Sequence, residues 1–206
     1  MKKFFGVDIG GTTVKMGYFN EDGKLIDKWE IPTVKDNGGE KILPDVVKAI
    51  EGKLAEEGLA KGYLAGVGIG VPGPIFADGT VNRCVNLGWG VFNVADKVRE
   101  LLDMPELTVK VGNDANVAAL GEMFKGSGEG YKNLVMVTLG TGVGGGIILD
   151  GKILTGTTGG AGEIGHMRSD WIATAIPPFA VPSSFVKMIP VISAASINCF
   201  ACTSAF

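Results

Sequence analysis

The stretch DIGGTT, Asp8 to Thr13, sets an acidic residue at the end of an apolar run and follows it with two glycines and two threonines. A second stretch, TLGTGVGGG from Thr138 to Gly146, repeats the design without the acid. A phosphate needs several converging N–H donors, and turns with short side chains let the backbone close around it. Neither stretch is the dinucleotide fingerprint, because each turn runs into a strand rather than a helix. Glycines can serve merely as tight turns, but two such turns, one preceded by Asp8, favour a phosphate ligand. Asp8 also suits Mg²⁺ held through water, since that ion prefers oxygen ligands and keeps its hydration.

Asn113-Asp114 sits where an apolar strand gives way to a helical pattern. Such residues ordinarily cap helices. The alternative is a carboxylate placed to accept a proton from a substrate hydroxyl, the base of a phosphoryl transfer. Glu163 and His166 lie in GGAGEIGH, a glycine-shaped loop holding the only histidine of the chain. His166 reads either as a structural polar group or as part of a site. Glu163, Asn86 and Asn113 together would offer a polyhydroxyl ligand the hydrogen-bond partners a sugar needs.

The elements that must position these residues follow from periodicity. Strands are expected at Phe4–Ile9, Thr13–Phe19 and Lys24–Ile31, joined by the glycine pair and by the turn NEDG. Apolar residues at 42, 43, 46, 47, 50 and 54 place one stripe on a helix over Glu40–Glu57. A buried strand at Leu64–Val71 precedes PGP, and Asn82–Gly90 reads as irregular backbone. A helix capped by Asn93, a strand at Leu107–Val111 and a helix over Asn113–Phe124 complete the first half. Strands at Leu134–Leu139, up to Leu149 and at Ile153–Leu154 follow. DIGGTTVKMGYFNEDGKL and TLGTGVGGGIILDGKIL echo each other as strand, glycine–threonine turn, strand, acidic–glycine turn, strand. The expectation is two α/β lobes with similar openings.

The 206 residues carry a net charge of −3 and no basic run longer than two, which disfavours nucleic acid as a partner. Cys84, Cys199 and Cys202 are too scattered for a secreted disulfide framework, and MKKFFGVDIGG is not a signal peptide. A cytoplasmic location is the expectation. All 33 glycines precede residue 171, and residues 171–206 carry one formal charge, Lys187. The uncharged segment Met188–Phe206 is diluted by serine, threonine and asparagine, and is not expected to span a membrane.

Taken together and in order, VDIGGTTVKMG, GVGIGVPGP, NDANVAALGE, TLGTGVGGGII and GGAGEIGH resemble the ROK family of sugar kinases and related repressors, most of all its bacterial glucokinases. The resemblance runs over residues 3–167. It implies an actin-like ATPase fold, two RNase H-like lobes with ATP and hexose in the cleft, and a second lobe that is incomplete here. Residues 1–112 would form the first lobe and 113–167 the start of the second. Thr12, with Gly10 and Gly11 in its turn, matches the first phosphate segment; Thr138, Gly140, Thr141 and Gly142 match the second. Asp114 matches the base that deprotonates the 6-hydroxyl, with Asn113 on neighbouring hydroxyls and Glu163 on those near C1 and C2. His166 matches a residue that touches sugar and ligates structural Zn²⁺.

The implied reaction is ATP- and Mg²⁺-dependent 6-phosphorylation, with glucose as the expected hexose and N-acetylmannosamine, N-acetylglucosamine or fructose as alternatives. A non-catalytic remnant or a ROK-type regulator is the rival reading. The regulators carry a DNA-binding domain ahead of this motif, which the seven residues before Asp8 cannot supply. Family members assemble as homodimers or tetramers. The family's cysteine-rich zinc motif after the histidine is missing, and Cys199-x-x-Cys202 is too remote to close a tetrahedral site with His166. Zinc is therefore expected not to bind. Residues 168–206 read as an atypical apolar tail, as from a disrupted reading frame, with an inactive and unstable second lobe.

Overall fold

The computed structural model describes residues 2–139, 143–157 and 159–166. Three strands open the chain, β1 (Lys3–Ile9), β2 (Thr13–Phe19) and β3 (Leu25–Pro32), followed by helix α1 (Ile42–Glu56) and strand β4 (Leu64–Val71). A hairpin of β5 (Thr80–Cys84) and β6 (Trp89–Asn93) leads to helix α2 (Val94–Leu102), strand β7 (Thr108–Asn113) and helix α3 (Asp114–Lys125). Strands β8 (Leu134–Leu139), β9 (Val143–Leu149) and β10 (Lys152–Ile153) come next, and a 3-10 turn spans Ile164–His166.

Five strands form one mixed sheet in the order β3-β2-β1-β4-β7. The tight turns after β1 and β2 make the first three antiparallel, whereas the crossovers through α1 and α2 make β1, β4 and β7 parallel. Side chains alternate between the faces. Phe5, Val7 and Ile9 join Val14, Met16, Tyr18, Val67, Ile69 and Val71 in one core. Helix α1 closes that core with Ile42, Leu43, Val46, Val47, Ile50 and Leu54, the stripe its sequence spacing predicts. Pro44 falls in its first turn, where no intrahelical N–H is lost. Each fully buried aliphatic here, such as Ile50, contributes about 1.5–3 kcal/mol.

The opposite sheet face is built differently. By register it carries Gly6, Gly17, Gly66, Gly68, Gly70 and Gly112, with Asp8 and Lys15 at one end. Phe4 and Phe19 pack with Leu25 at one end of this face, whereas Gly70 and Gly112 leave backbone alone toward the Asp8 end, where a helix can approach closely. Helix α3 takes that place: a Cβ on Gly112 would lie 3.0 Å from Val117 Cγ2, and one on Gly70 3.5 Å from Val117 Cγ1.

The other side of α3 packs on a three-stranded sheet in the order β10-β9-β8, through a small core of Ala118, Ala119, Leu120, Met136 and Ile148. Both sheets therefore begin as antiparallel meanders, 3-2-1 and 10-9-8, and the internal echo in the sequence is a repeat of structure. Asn82–Gly90, expected as irregular backbone, instead belongs largely to the β5–β6 hairpin, closed by a 3-10 turn at Val85–Leu87. Cys84 pairs with Trp89 and both are buried, so tertiary packing forms this hairpin where local periodicity is weak. Residues 168–206, including Cys199 and Cys202, lie outside the described residues, as does the expectation of an atypical apolar tail.

Candidate active site

Register alone brings the acidic residues together. Asp8, the last but one residue of β1, is paired with Lys15 on one side and Gly70 on the other, and Gly70 is paired with Gly112. Two residues beyond Gly112 the chain enters α3 at Asp114. Asn113 is the N-cap: its Oδ1 accepts from Asn116 N–H at 3.1 Å. Its amide donates to Gly73 O at 3.2 Å and to Asp114 Oδ1 at 3.0 Å. Both amide hydrogens are thus used, and one oxygen lone pair remains for a ligand.

Asp114 stands on the first turn of the helix with Oδ1 also accepting from Ala115 N–H at 2.9 Å. Among the described residues nothing donates to its other oxygen. Burial pushes the Asp114 carboxyl above its usual range; the Ala115 N–H opposes this, and the charges of Asp8 and Glu163 add to it. Burial also raises the Asp8 carboxyl, with Lys15 drawing it back. Three acidic groups from β1, α3 and the loop before Ile164 therefore share one electrostatic neighbourhood.

Glu163 reaches that neighbourhood because β9 is glycine on both faces. A Cβ on Gly146 would lie 2.6 Å from Ala119 Cβ, and one on Gly144 3.5 Å from Ala115 Cβ, so these two admit α3. A Cβ on Gly145 would lie 2.7 Å from Gly162 O, so this one admits the loop carrying Glu163. His166 donates its N–H to Glu163 O at 3.1 Å and its side chain is exposed.

The remaining candidates fall around this centre. Gly10 N–H donates to Thr13 O at 3.0 Å, closing the first glycine turn, with Gly11 and an exposed Thr12 on its outside. Thr138 ends opposite Gly144, while Gly140, Thr141 and Gly142 lie outside the described residues. Asn86 is exposed in the turn after Cys84. Burial raises the Cys84 thiol; the N–H groups of Leu87 and Asn86 oppose this, and the charge of Asp114 adds to it. Cys84, which precedes the Asn86 turn, is therefore within electrostatic reach of Asp114. Sequence reasoning missed Gly70 and Lys15 as neighbours of Asp8, and only the strand register could have exposed them.

The two metals fare differently. Asp8 is a half-buried hard oxygen ligand beside a second carboxylate, which fits Mg²⁺. Among the described residues no group of three or more His, Cys, Asp or Glu side chains could hold a metal ion, and Cys199 and Cys202, the cysteines nearest His166 in sequence, lie outside those residues. Among those residues no helix is long and apolar enough to cross a membrane.

Fold and site define an α/β protein in which two like β-meanders flank a carboxylate pair at the head of a bridging helix. Residues 4–186 match the model of the ROK family. The chain belongs to that family. It is 47% identical over 185 residues to a glucokinase of Halalkalibacterium halodurans, covering 89% of this chain and 53% of that protein. It is 39% identical over 169 residues to a glucokinase of Thermotoga maritima, covering 80% and 50%. Among solved structures it is similar to a ROK family glucokinase from Streptomyces griseus in complex with glucose and AMPPNP. That match has a TM-score of 0.65 and 37% identity, covering 81% of this chain and 50% of that one. The chain spans about half the length of these relatives. The family match also corrects the sequence reading of the tail. It continues past His166 to residue 186, so the change in composition there is not where family likeness ends, and the disrupted reading frame loses its support.

Proposed function

We propose that this chain contributes to ATP-dependent phosphorylation of a hexose at its 6-hydroxyl, with glucose as substrate, in the cytoplasm. The observation that carries the reading is Asp114: a half-buried carboxylate, one oxygen held by Ala115 and Asn113, placed beside Asp8 and Glu163. The likeness to glucokinases, one of them in complex with glucose and AMPPNP, supports the choice of substrates. Residues 1–112 make the first lobe in this reading, and residues 113–167 open the second.

In the reaction Asp114 accepts the proton of the 6-hydroxyl. The oxygen forms a bond to the γ-phosphorus as the bond from that phosphorus to the bridging oxygen breaks, and ADP leaves. Such transfer depends mostly on positioning and on charge around the moving group. Glu163, Asn86, Asn113 and His166 hold the sugar hydroxyls. The turn at Gly10, Gly11 and Thr12 and the turn from Thr138 through Gly140, Thr141 and Gly142 hold the phosphates. Asp8 would hold Mg²⁺ through water, and the ion would offset phosphate charge when bound.

A coupled ADP-release assay across glucose, fructose, mannose, N-acetylglucosamine and N-acetylmannosamine tests the reading. Glucose should give the highest kcat/KM, and Asp114→Asn should lower turnover at least ~100-fold, the usual contribution of a general base. No hexose-dependent ADP release, or full turnover in Asp114→Asn, would overturn it.

A further inference from the structure

The connection after β3 touches the first glycine turn at two points. Thr33 Oγ1–H donates to Gly10 O at 2.8 Å in a half-buried setting. Thr33 N–H donates to Thr12 O at 2.9 Å. Two carbonyls of the turn, those of Gly10 and Thr12, are thereby drawn toward one residue of another element, twenty-three positions from Gly10.

Peptide planarity turns this into a statement about donors. In a trans peptide the carbonyl of one residue and the N–H of the next point in opposite directions. With the Gly10 carbonyl held by Thr33, the Gly11 N–H is aimed away from Thr33. No described residue accepts a hydrogen bond from Gly11 or Thr12 N–H. The space beside the Gly11 Cα is also open. A Cβ on Gly10 would lie 2.7 Å from Thr13 O, yet one on Gly11 would meet nothing within 4 Å. The turn is closed tightly from within and presents a bare amide outward.

We infer that Thr33 is a positioning residue for the nucleotide phosphates, its hydroxyl and amide holding the Gly10 and Thr12 carbonyls back so that the Gly11 N–H projects toward a phosphate oxygen. The identity of the ligand rests on the kinase reading; the two hydrogen bonds and the open side of Gly11 do not. A threonine suits the task because its hydroxyl donates sideways while its N–H continues the strand pairing. Valine keeps the shape and the N–H and loses the donor. Serine keeps the donor.

The test compares the full chain with Thr33→Val and Thr33→Ser. Calorimetry measures binding of Mg²⁺–AMPPNP and, separately, of glucose, and melting curves follow stability. Thr33→Val should weaken AMPPNP binding about tenfold, the scale of one unsatisfied acceptor, with glucose affinity unchanged. Thr33→Ser should recover AMPPNP binding. Amide exchange at Gly10 should quicken in Thr33→Val and return to the original rate in Thr33→Ser. Unchanged AMPPNP binding in Thr33→Val, equal loss of glucose binding, or failure of serine to rescue would each overturn the inference. If the unmodified chain binds no AMPPNP, the kinase reading falls and the phosphate role of Thr33 with it. If it binds and Thr33→Val binds equally, only the inference about Thr33 falls.

Discussion

Asp8 and Asp114 meet across Gly70. A Cβ at position 70 would lie 3.6 Å from Asp8 Oδ1 and 3.7 Å from the Asp114 Cα, so both residues border the space that a side chain at position 70 would fill. One comes from a strand and the other from the head of a helix packed on that strand's sheet. Their closeness is a product of register, and it has consequences for stability as well as chemistry.

Burial raises both carboxyls. In the window between the ordinary carboxylate pKa, about 3.9, and the raised folded-state value, the folded chain holds protons that the unfolded chain has lost. Stability therefore falls as pH rises through that window, and the penalty is fully present once pH exceeds the raised folded-state value. Asp114→Asn keeps an oxygen to accept from Ala115 N–H and removes the charge. It should melt above the unmodified chain at pH values above the window, with the difference closing at about pH 3, below the window. A melting series across pH reads this, and a difference independent of pH would show that charge burial is not its source.

The neighbouring asparagine should behave in the opposite sense. Asn113 caps α3 and also steadies Asp114 Oδ1. Asn113→Ala should cost about 1 kcal/mol, as loss of a helix cap does. Urea denaturation of Asn113→Ala and Asp114→Asn, side by side at neutral pH, should move the midpoints in opposite directions.

Close approach of α3 to β9 depends on Gly146. The 2.6 Å gap to Ala119 Cβ and 2.9 Å to Ala115 O leave no room for a methyl group. Gly146→Ala should destabilise by about 1–3 kcal/mol through overpacking. Hydrogen exchange should localise the loss to α3, β8 and β9, and protection unchanged in those elements would refute the account.

Trp89 ties the β5–β6 hairpin to the turn before α1. Its Nε1–H donates to Gly39 O at 3.1 Å in a buried setting. Trp89→Phe retains most of the apolar surface and leaves that carbonyl without its donor, at about 1–3 kcal/mol. The denaturation midpoint should fall accordingly, and a stability equal to that of the unmodified chain would show that another donor takes the place of the indole.

Local pattern sufficed wherever a residue's environment is set by its near neighbours. The bounds of Thr13–Phe19, Leu64–Val71 and Leu134–Leu139, the buried stripe of α1 and the Asn93 cap were legible in this way. So was the repeated opening, because each meander is held together by short turns that carry their own glycine and acidic residues. The glycines at 70, 112, 144, 145 and 146 were legible only as small residues; their use as landing places for α3 and for the Glu163 loop needed a second element to be brought against them. The pairing of Cys84 with Trp89, the bonds from Thr33 to the Gly10–Thr12 turn and the meeting of Asp8 with Asp114 likewise join residues far apart in sequence. Such contacts are decided by strand register and by how near two backbones can come, and neither quantity is carried by any one segment. The sequence by itself determined which residues could do chemistry; tertiary packing decided which of them share a site.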